Sequence, residues 1–151
     1  MSLVLEMMRN RRMITAHTDR MLQDFMLAWN VSDFDAVIDT HLLSEQEIAD
    51  LLSKELKLDR LYMISPDMVD ESVVRLVPFE KAREKRLLPL RKVGKKIEVA
   101  MANPTDVESI QWLEEILNTE IAPVVVELRD VLNMVHECYP LDAQIPSLEP
   151  R

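Results

Sequence analysis

Glycine is almost missing from this chain: Gly94 is the only one among 151 residues. Neither GxGxxG nor GxxxxGK(S/T) can be written with one glycine. Both common phosphate-cradling loops are therefore excluded, and with them the usual nucleotide hydrolases. Cysteine is as scarce. Cys138 stands alone, which excludes an intramolecular disulfide and a thiolate metal cluster and suits a reducing compartment. No apolar run approaches the roughly 18 residues that a membrane span needs. The stretch Met1 to Met8 is short and contains Glu6, so it does not read as a signal peptide, which wants a basic flank before a longer apolar core. Positive charge is in deficit, with a net charge of −9. An acidic body repels nucleic acid and anionic lipid alike. These absences predict a cytoplasmic protein that neither binds nucleic acid nor sits in a membrane.

The residues that are present read as an α+β protein, and one stretch, Leu87 to Tyr139, organises it. Leu87 to Leu90 and Ile97 to Met101 have strand length, and Val93-Gly94-Lys95 between them suits a hairpin turn with glycine at positive φ. Asn103-Pro104-Thr105-Asp106 ends the second strand and caps a helix with Val107, Ile110, Leu113, Ile116 and Leu117 inward. Asn118 stops that helix, because asparagine tolerates the left-handed cap conformation. Ile121 to Val126 is a β-branched run fit for a buried strand. Arg129 to Cys138 is a last helix, with Val131, Leu132 and Val135 inward.

The front of the chain reads as helices. Met13, Met21, Leu22, Phe25, Met26 and Trp29 recur at three- and four-residue spacing within a helix from Leu3 to Trp29. Thr18 and Asp19 are placed to cap a restart near Arg20. Phe34, Val37 and Ile38 form a second, short apolar face. Ser44-Glu45-Gln46-Glu47 is a capping box, opening a helix with Ile48, Leu51, Leu52 and Leu56 inward. Leu58 to Ile64 reads as an extended link and Ser65-Pro66-Asp67 as a turn. Asp70 or Ser72 starts a helix with Val73, Val74, Leu76 and Val77 inside. Pro78 interrupts it and suits the first position of the next helix. The predicted organisation is a helical subdomain over residues 1–64, an α/β subdomain over 65–139 and a flexible tail over 140–151.

No catalytic constellation stands out. Glu108, Glu114, Glu115 and Glu120 follow ordinary surface spacing with no partner base. His136 and Cys138 are two apart, on different faces of a helix, and make a poor metal pair. His41 is a lone histidine before a helix start. Arg9, Arg11 and Arg12 form a basic patch that reads either as an anchor or as a solvated helix end. The distinct feature is a basic sector on an acidic protein: Lys81, Arg83, Lys85, Arg86, Arg91, Lys92, Lys95 and Lys96, offset locally only by Glu80 and Glu84. It reads either as a docking surface for an acidic or phosphate-bearing partner or as a solvated helix end and hairpin tip.

One ordered set of residues resembles a known family. It runs Val77-Pro78, Ala82-Arg83, Leu87-Leu88-Pro89-Leu90, Gly94, Ile97, Val99-Ala100-Met101-Ala102-Asn103-Pro104, Asp106 and Ile110. Pro123-Val124-Val125, Asp130-Val131 and Tyr139 complete it. The set is similar to the N-terminal domain of type II secretion and type IV pilus assembly ATPases, of the general secretory pathway protein E and MshE type, over about Ser44 to Tyr139. The resemblance implies a helical half packed on a small α/β half, set ahead of a motor that it docks to an inner-membrane platform protein. In one subfamily the helical half binds cyclic di-GMP through repeated Arg-Leu-Gly motifs. Here Asp33-Phe34-Asp35 stand for Arg-Leu-Gly, His41 for an inner glycine, Glu55 for a glutamine and Leu117-Asn118 for Thr-Gly. The first three departures remove donors or add negative charge facing a dianion, so cyclic di-GMP binding is expected to be weak or absent.

The resulting expectation is a non-enzymatic docking module of a secretion or pilus assembly system. It would have no catalytic, cofactor or metal residue. Its partner would be a platform protein or another secretion or pilus component, and any inner-membrane association would be peripheral, through that partner. The expected contact residues are Arg83, Lys85, Arg86, Arg91, Lys92 and Trp29. The alternative is a nucleotide-sensing domain whose site has moved to the basic sector.

Overall fold

The computed structural model describes residues 3–144. The front half is helical: α1 (Leu3–Asn10), α2 (Ala16–Trp29), α3 (Asp33–Asp39) and α4 (Glu45–Leu56). A 3-10 turn (Pro66–Met68) and two short helices, α5 (Glu71–Val74) and α6 (Phe79–Lys85), lead into the sheet. There β1 (Leu87–Val93) and β2 (Lys96–Met101) form the hairpin, followed by α7 (Val107–Leu117), β3 (Ile121–Val125), α8 (Leu128–Cys138) and α9 (Leu141–Gln144). This is the α+β class expected. One hydrophobic cluster runs from Val4 in α1 to Tyr139 after α8.

Several local signals act as their chemistry predicts. The Ser44 side chain accepts from the Glu47 N–H at 3.1 Å, and the Glu47 carboxylate accepts from the Ser44 N–H at 3.0 Å, closing the capping box. Gly94 takes φ 63° at the first turn position, where a type II′ hairpin wants glycine. Asn118 ends α7 at φ 52°. Pro78 serves as the N-cap of α6 rather than its first residue.

Other expectations are corrected. The helix over Leu3–Trp29 is two helices, because Arg12 turns the chain at φ 55°. The restart is capped by Thr15, whose hydroxyl accepts from the Thr18 N–H, and not by Thr18 or Asp19. On α2 only Leu22 is fully buried, with Phe25 and Met26 partly covered; Met13, Met21 and Trp29 are exposed. Leu76, Val107 and Ile116, expected inside, are exposed. Periodicity marks the apolar stripe of a helix but not how much of it a neighbour covers. In the segment expected to be a flexible tail, α9 is pinned by Gln144, whose Nε2 donates to the carbonyls of His136 and Tyr139 at 2.7 Å. Residues 145–151 lie outside the described residues.

The sheet has order β1-β2-β3, antiparallel then parallel. Its β3 edge is protected residue by residue. Ile97 N–H bonds the Glu120 carbonyl and Val126 N–H bonds that of Met101, so even-numbered residues face β2 and odd-numbered ones face outward. The outward donors are then Ile121, position 123 and Val125. Ile121 N–H is taken by the Glu114 carboxylate at 3.2 Å, position 123 is proline, and Val125 N–H is taken by the Asp59 carbonyl at 2.8 Å. No donor is left to template a foreign strand. The link read as merely extended thus closes the edge through an isolated parallel bridge between Arg60 and Val125.

Candidate functional site

Helix α2 carries an apolar stripe wider than its cover. Met21, Phe25 and Trp29 follow one another at four-residue spacing beside Leu22 and Met26; α3 packs against α2, yet only Leu22 is fully buried. Met21 and Trp29 are 58% and 68% exposed. Phe25 and Trp29 lie tilted against each other with ring centroids 6.2 Å apart. Trp29 is thus an exposed aromatic on a rigid helix that ends at Asn30 in the left-handed conformation.

The structure divides the basic sector between the two ends of β1. At one end lie Arg83, Lys85 and Arg86. Arg83 sits over the Phe79 ring (5.5 Å to the centroid) and Lys85 over that of Trp112 (5.1 Å). Arg86, itself a left-handed cap of α6 at φ 56°, pairs with Asp35 of α3. A cleft of about 360 Å³ opens here between Ser32, Asp35, Glu84, Lys85, Asn103 and Asp106. Its lining carries four carboxylates, Asp33, Asp35, Glu84 and Asp106, against the two cations Lys85 and Arg86, so it is not a positive site. At the other end, Arg91 and Lys92 are exposed on the hairpin, with Arg91 Nε 3.3 Å from the Glu98 carboxylate. Arg86 and Lys92 are six positions apart along the strand, about 20 Å at the usual rise, so the two groups do not form one patch.

Among the positions aligned with a cyclic di-GMP motif, the side chains of Asp33, Asp35 and Glu55 have structural partners. Asp33 is 6% exposed; its Oδ2 accepts the N–H groups of Val4 (2.8 Å) and Leu5 (3.3 Å), capping the start of α1 from another helix. Asp35 holds Arg86, and Glu55 holds Arg11. His41 takes φ 56°, a conformation glycine favours, and leaves its side chain exposed. The Arg9–Arg12 patch is likewise engaged: Arg9 pairs with Asp19, and that guanidinium, helped by Gln23, holds the Asp19 carboxyl down to about 2. Sequence reasoning saw the charge changes but missed these partners, which lie 28 to 51 residues away for Asp33 and Asp35.

Arg60 was also missed. Its side chain is 5% exposed. Nε donates to Asp50 of α4 at 2.7 Å, one terminal nitrogen to the Leu61 carbonyl at 3.0 Å, and the other lies 3.4 Å from Glu127 at the start of α8. The Tyr62 ring lies over the guanidinium, 4.3 Å away. Tyr139 closes the other end of α8: its buried hydroxyl donates to the Val77 carbonyl at 2.7 Å and also lies 3.2 Å from that of Val74. Burial pushes the Tyr139 phenol well above its usual range and raises the Cys138 thiol, so neither suits nucleophilic work near neutral pH. Among the described residues no group of three His, Cys, Asp or Glu side chains could hold a metal ion, and no helix is long and apolar enough to cross a membrane.

A helical front half is joined to a three-stranded α/β half, and α2 presents a partly exposed apolar face. The MshEN domain family matches residues 60–145, and the chain belongs to that family. Asp33, His41 and Glu55 precede the matched segment. The type IV pilus assembly ATPase PilB of Myxococcus xanthus (strain DK1622) is 25% identical over 114 residues, which cover 76% of this chain. The match covers 20% of PilB, so the chain spans about a fifth of that relative. Among solved structures, MshE with cdg superposes with a TM-score of 0.73 at 20% identity, covering 90% of this chain and 98% of the other. The N-terminal domain of XpsE superposes at 13% identity with TM-scores of 0.73 and 0.63 in two crystal forms, covering 90–91% of this chain and 94% of the other. The fold is that of the N-terminal domains of type II secretion and type IV pilus assembly ATPases.

Proposed function

We propose that the chain is a non-enzymatic docking module of a bacterial type II secretion or type IV pilus assembly system, acting in the cytoplasm. Its partner is a platform protein of the inner membrane or another component of that assembly. The observation that carries this reading is the stripe Met21–Phe25–Trp29 on α2, in which Met21 and Trp29 are exposed and Phe25 is only partly covered. Exposed aromatics on a rigid element are the usual anchors of protein interfaces. Arg83 and Lys85 at the end of α6 supply cations without a carboxylate of α3 to hold them, whereas Arg86 is committed to Asp35.

Titration calorimetry with the cytoplasmic part of the cognate platform protein tests the reading. The parent chain is expected to bind. Met21→Ala with Trp29→Ala is expected to weaken binding at least tenfold, since truncating a hot-spot aromatic removes about 2 kcal/mol or more. Both side chains are exposed, so folding should change by no more than about 0.5 kcal/mol. An unchanged Kd in the double variant would remove α2 from the interface; no binding by the parent chain would remove the reading.

The likeness to MshE solved with cdg favours a second reading, a domain that senses cyclic di-GMP. Against it stand the engagements of Asp33, Asp35 and Glu55. Calorimetry with cyclic di-GMP, with ATP as control, is expected to show no heat and no rise in melting temperature. A ligand that binds only the folded state must raise that temperature, so tight binding with a melting shift would replace the docking reading by the sensing one.

A further inference from the structure

The hairpin tip carries a feature that neither the α2 stripe nor the cyclic dinucleotide motif accounts for. A groove of about 290 Å³ opens between Leu76, Lys92, Lys95, Ile97, Leu117 and Thr119. Its walls are fixed: the Thr119 hydroxyl donates to the Lys95 carbonyl at 2.9 Å, tying the hairpin to the turn after α7. Leu76 is 52% exposed. Val93 and Ile116, chain neighbours of the lining residues, are exposed as well. The groove therefore has an apolar floor open to water.

Its rim is basic. Arg91 and Lys96 have partners, in Glu98 at 3.3 Å and Glu120 at 3.6 Å. Lys92 contributes to the lowered pKa of Asp70, behind the Ser72 hydrogen bonds that dominate it. Neither Lys92 nor Lys95 has an ion pair within 4 Å among the described residues. On a chain of net charge −9, two ammonium groups without an ion pair, flanking the exposed Leu76 and the half-buried Leu117, are complementary to one kind of surface.

We propose that this groove is a second docking site, separate from the α2 face, for a short acidic segment of a protein partner. One leucine-sized side chain rests on Leu76 and Leu117, and carboxylates on either side meet Lys92 and Lys95. The concavity fits a peptide side chain better than a flat lipid surface. The proposal rests on the docking reading only in taking the partner to be a protein.

The test is an NMR titration of the ¹⁵N-labelled chain with the synthetic peptide Glu-Asp-Leu-Leu-Asp-Glu. Shifts are expected at Leu76, Lys92 to Ile97 and Leu117. They should weaken at least fivefold when serine replaces both peptide leucines, in Lys92→Glu with Lys95→Glu, and in about 0.5 M salt, where the Debye length falls to a few ångströms. Circular dichroism of the double variant checks that it is folded. Absence of shifts, shifts confined elsewhere, or a response only to phosphatidylglycerol vesicles overturns the proposal. The double variant also separates this proposal from the docking reading. Loss of the peptide shifts in that variant with unchanged affinity for the platform protein supports a groove separate from the α2 face and leaves that reading standing. Peptide shifts in a chain that ignores the platform protein keep the groove and remove that reading.

Discussion

Replacing Arg60 with methionine is expected to lower the unfolding free energy by about 3 kcal/mol, between the value of an exposed ion pair and that of a fully buried one. The cation sits where three parts of the fold meet: Asp50 in α4, the edge bridge at Val125, and Glu127 at the mouth of α8. It is 5% exposed, while Asp50 and Glu127 are 38% and 30% exposed. That asymmetry sets the magnitude. Without the guanidinium the two carboxylates can still draw water, which softens the loss. The Leu61 carbonyl loses its 3.0 Å donor, and the Tyr62 ring loses its cation. Methionine fills part of the space with no donor at all.

Arg60→Lys separates geometry from charge. Lysine restores a positive charge but not the fork, so it can serve one carboxylate and not both, together with the carbonyl. About half of the methionine loss should remain. Urea unfolding measures both variants, and an unchanged m-value certifies that stability rather than compactness has moved. A loss below about 1 kcal/mol for methionine would class Arg60 with exposed pairs and contradict its role as the tie between the two halves.

Arg60 also shows where sequence reading stops. The capping box at Ser44, the glycine turn at Gly94 and the left-handed Asn118 were legible because each is decided by residues within four positions. The strands of Leu87–Tyr139 were legible because β-branched runs between turn residues have few alternatives. Leu58 to Ile64 carries no such signal. Its bridge depends on Val125, more than sixty residues on, having an outward N–H and carbonyl. The α2 stripe was legible as apolar, yet Met21 and Trp29 turned out exposed, because coverage is a property of the neighbour and not of the stripe. Candidate contact residues share this limit. Arg86 looks like Arg91 in the sequence, but one is held by Asp35 and the other lies on the hairpin.

Replacing Asp33 with alanine is expected to cost about 3 kcal/mol, from the loss of a helix cap and of acceptors for buried N–H groups. Asp33 Oδ2 accepts from Val4 and Leu5, and Oδ1 from Phe34 at 2.8 Å. The first turn of a helix has N–H groups with no partner inside the helix, and a carboxylate there also answers the positive end of the dipole. Undocking α1 would rehydrate those groups, but Val4, Leu5 and Met8 are wholly buried, and exposing each costs about 1.5–3 kcal/mol. The helix is therefore expected to stay docked and strained, so the loss appears in global unfolding. Amide exchange at Val4, Leu5 and Met8 reads the alternative, in which the protection of α1 collapses while that of β2 is kept. Asp33→Asn keeps one oxygen acceptor and should lose about 1 kcal/mol. If Asp33→Ala left both stability and α1 exchange unchanged, the carboxylate would be free to face a ligand, and the main structural argument against cyclic di-GMP at this position would fall.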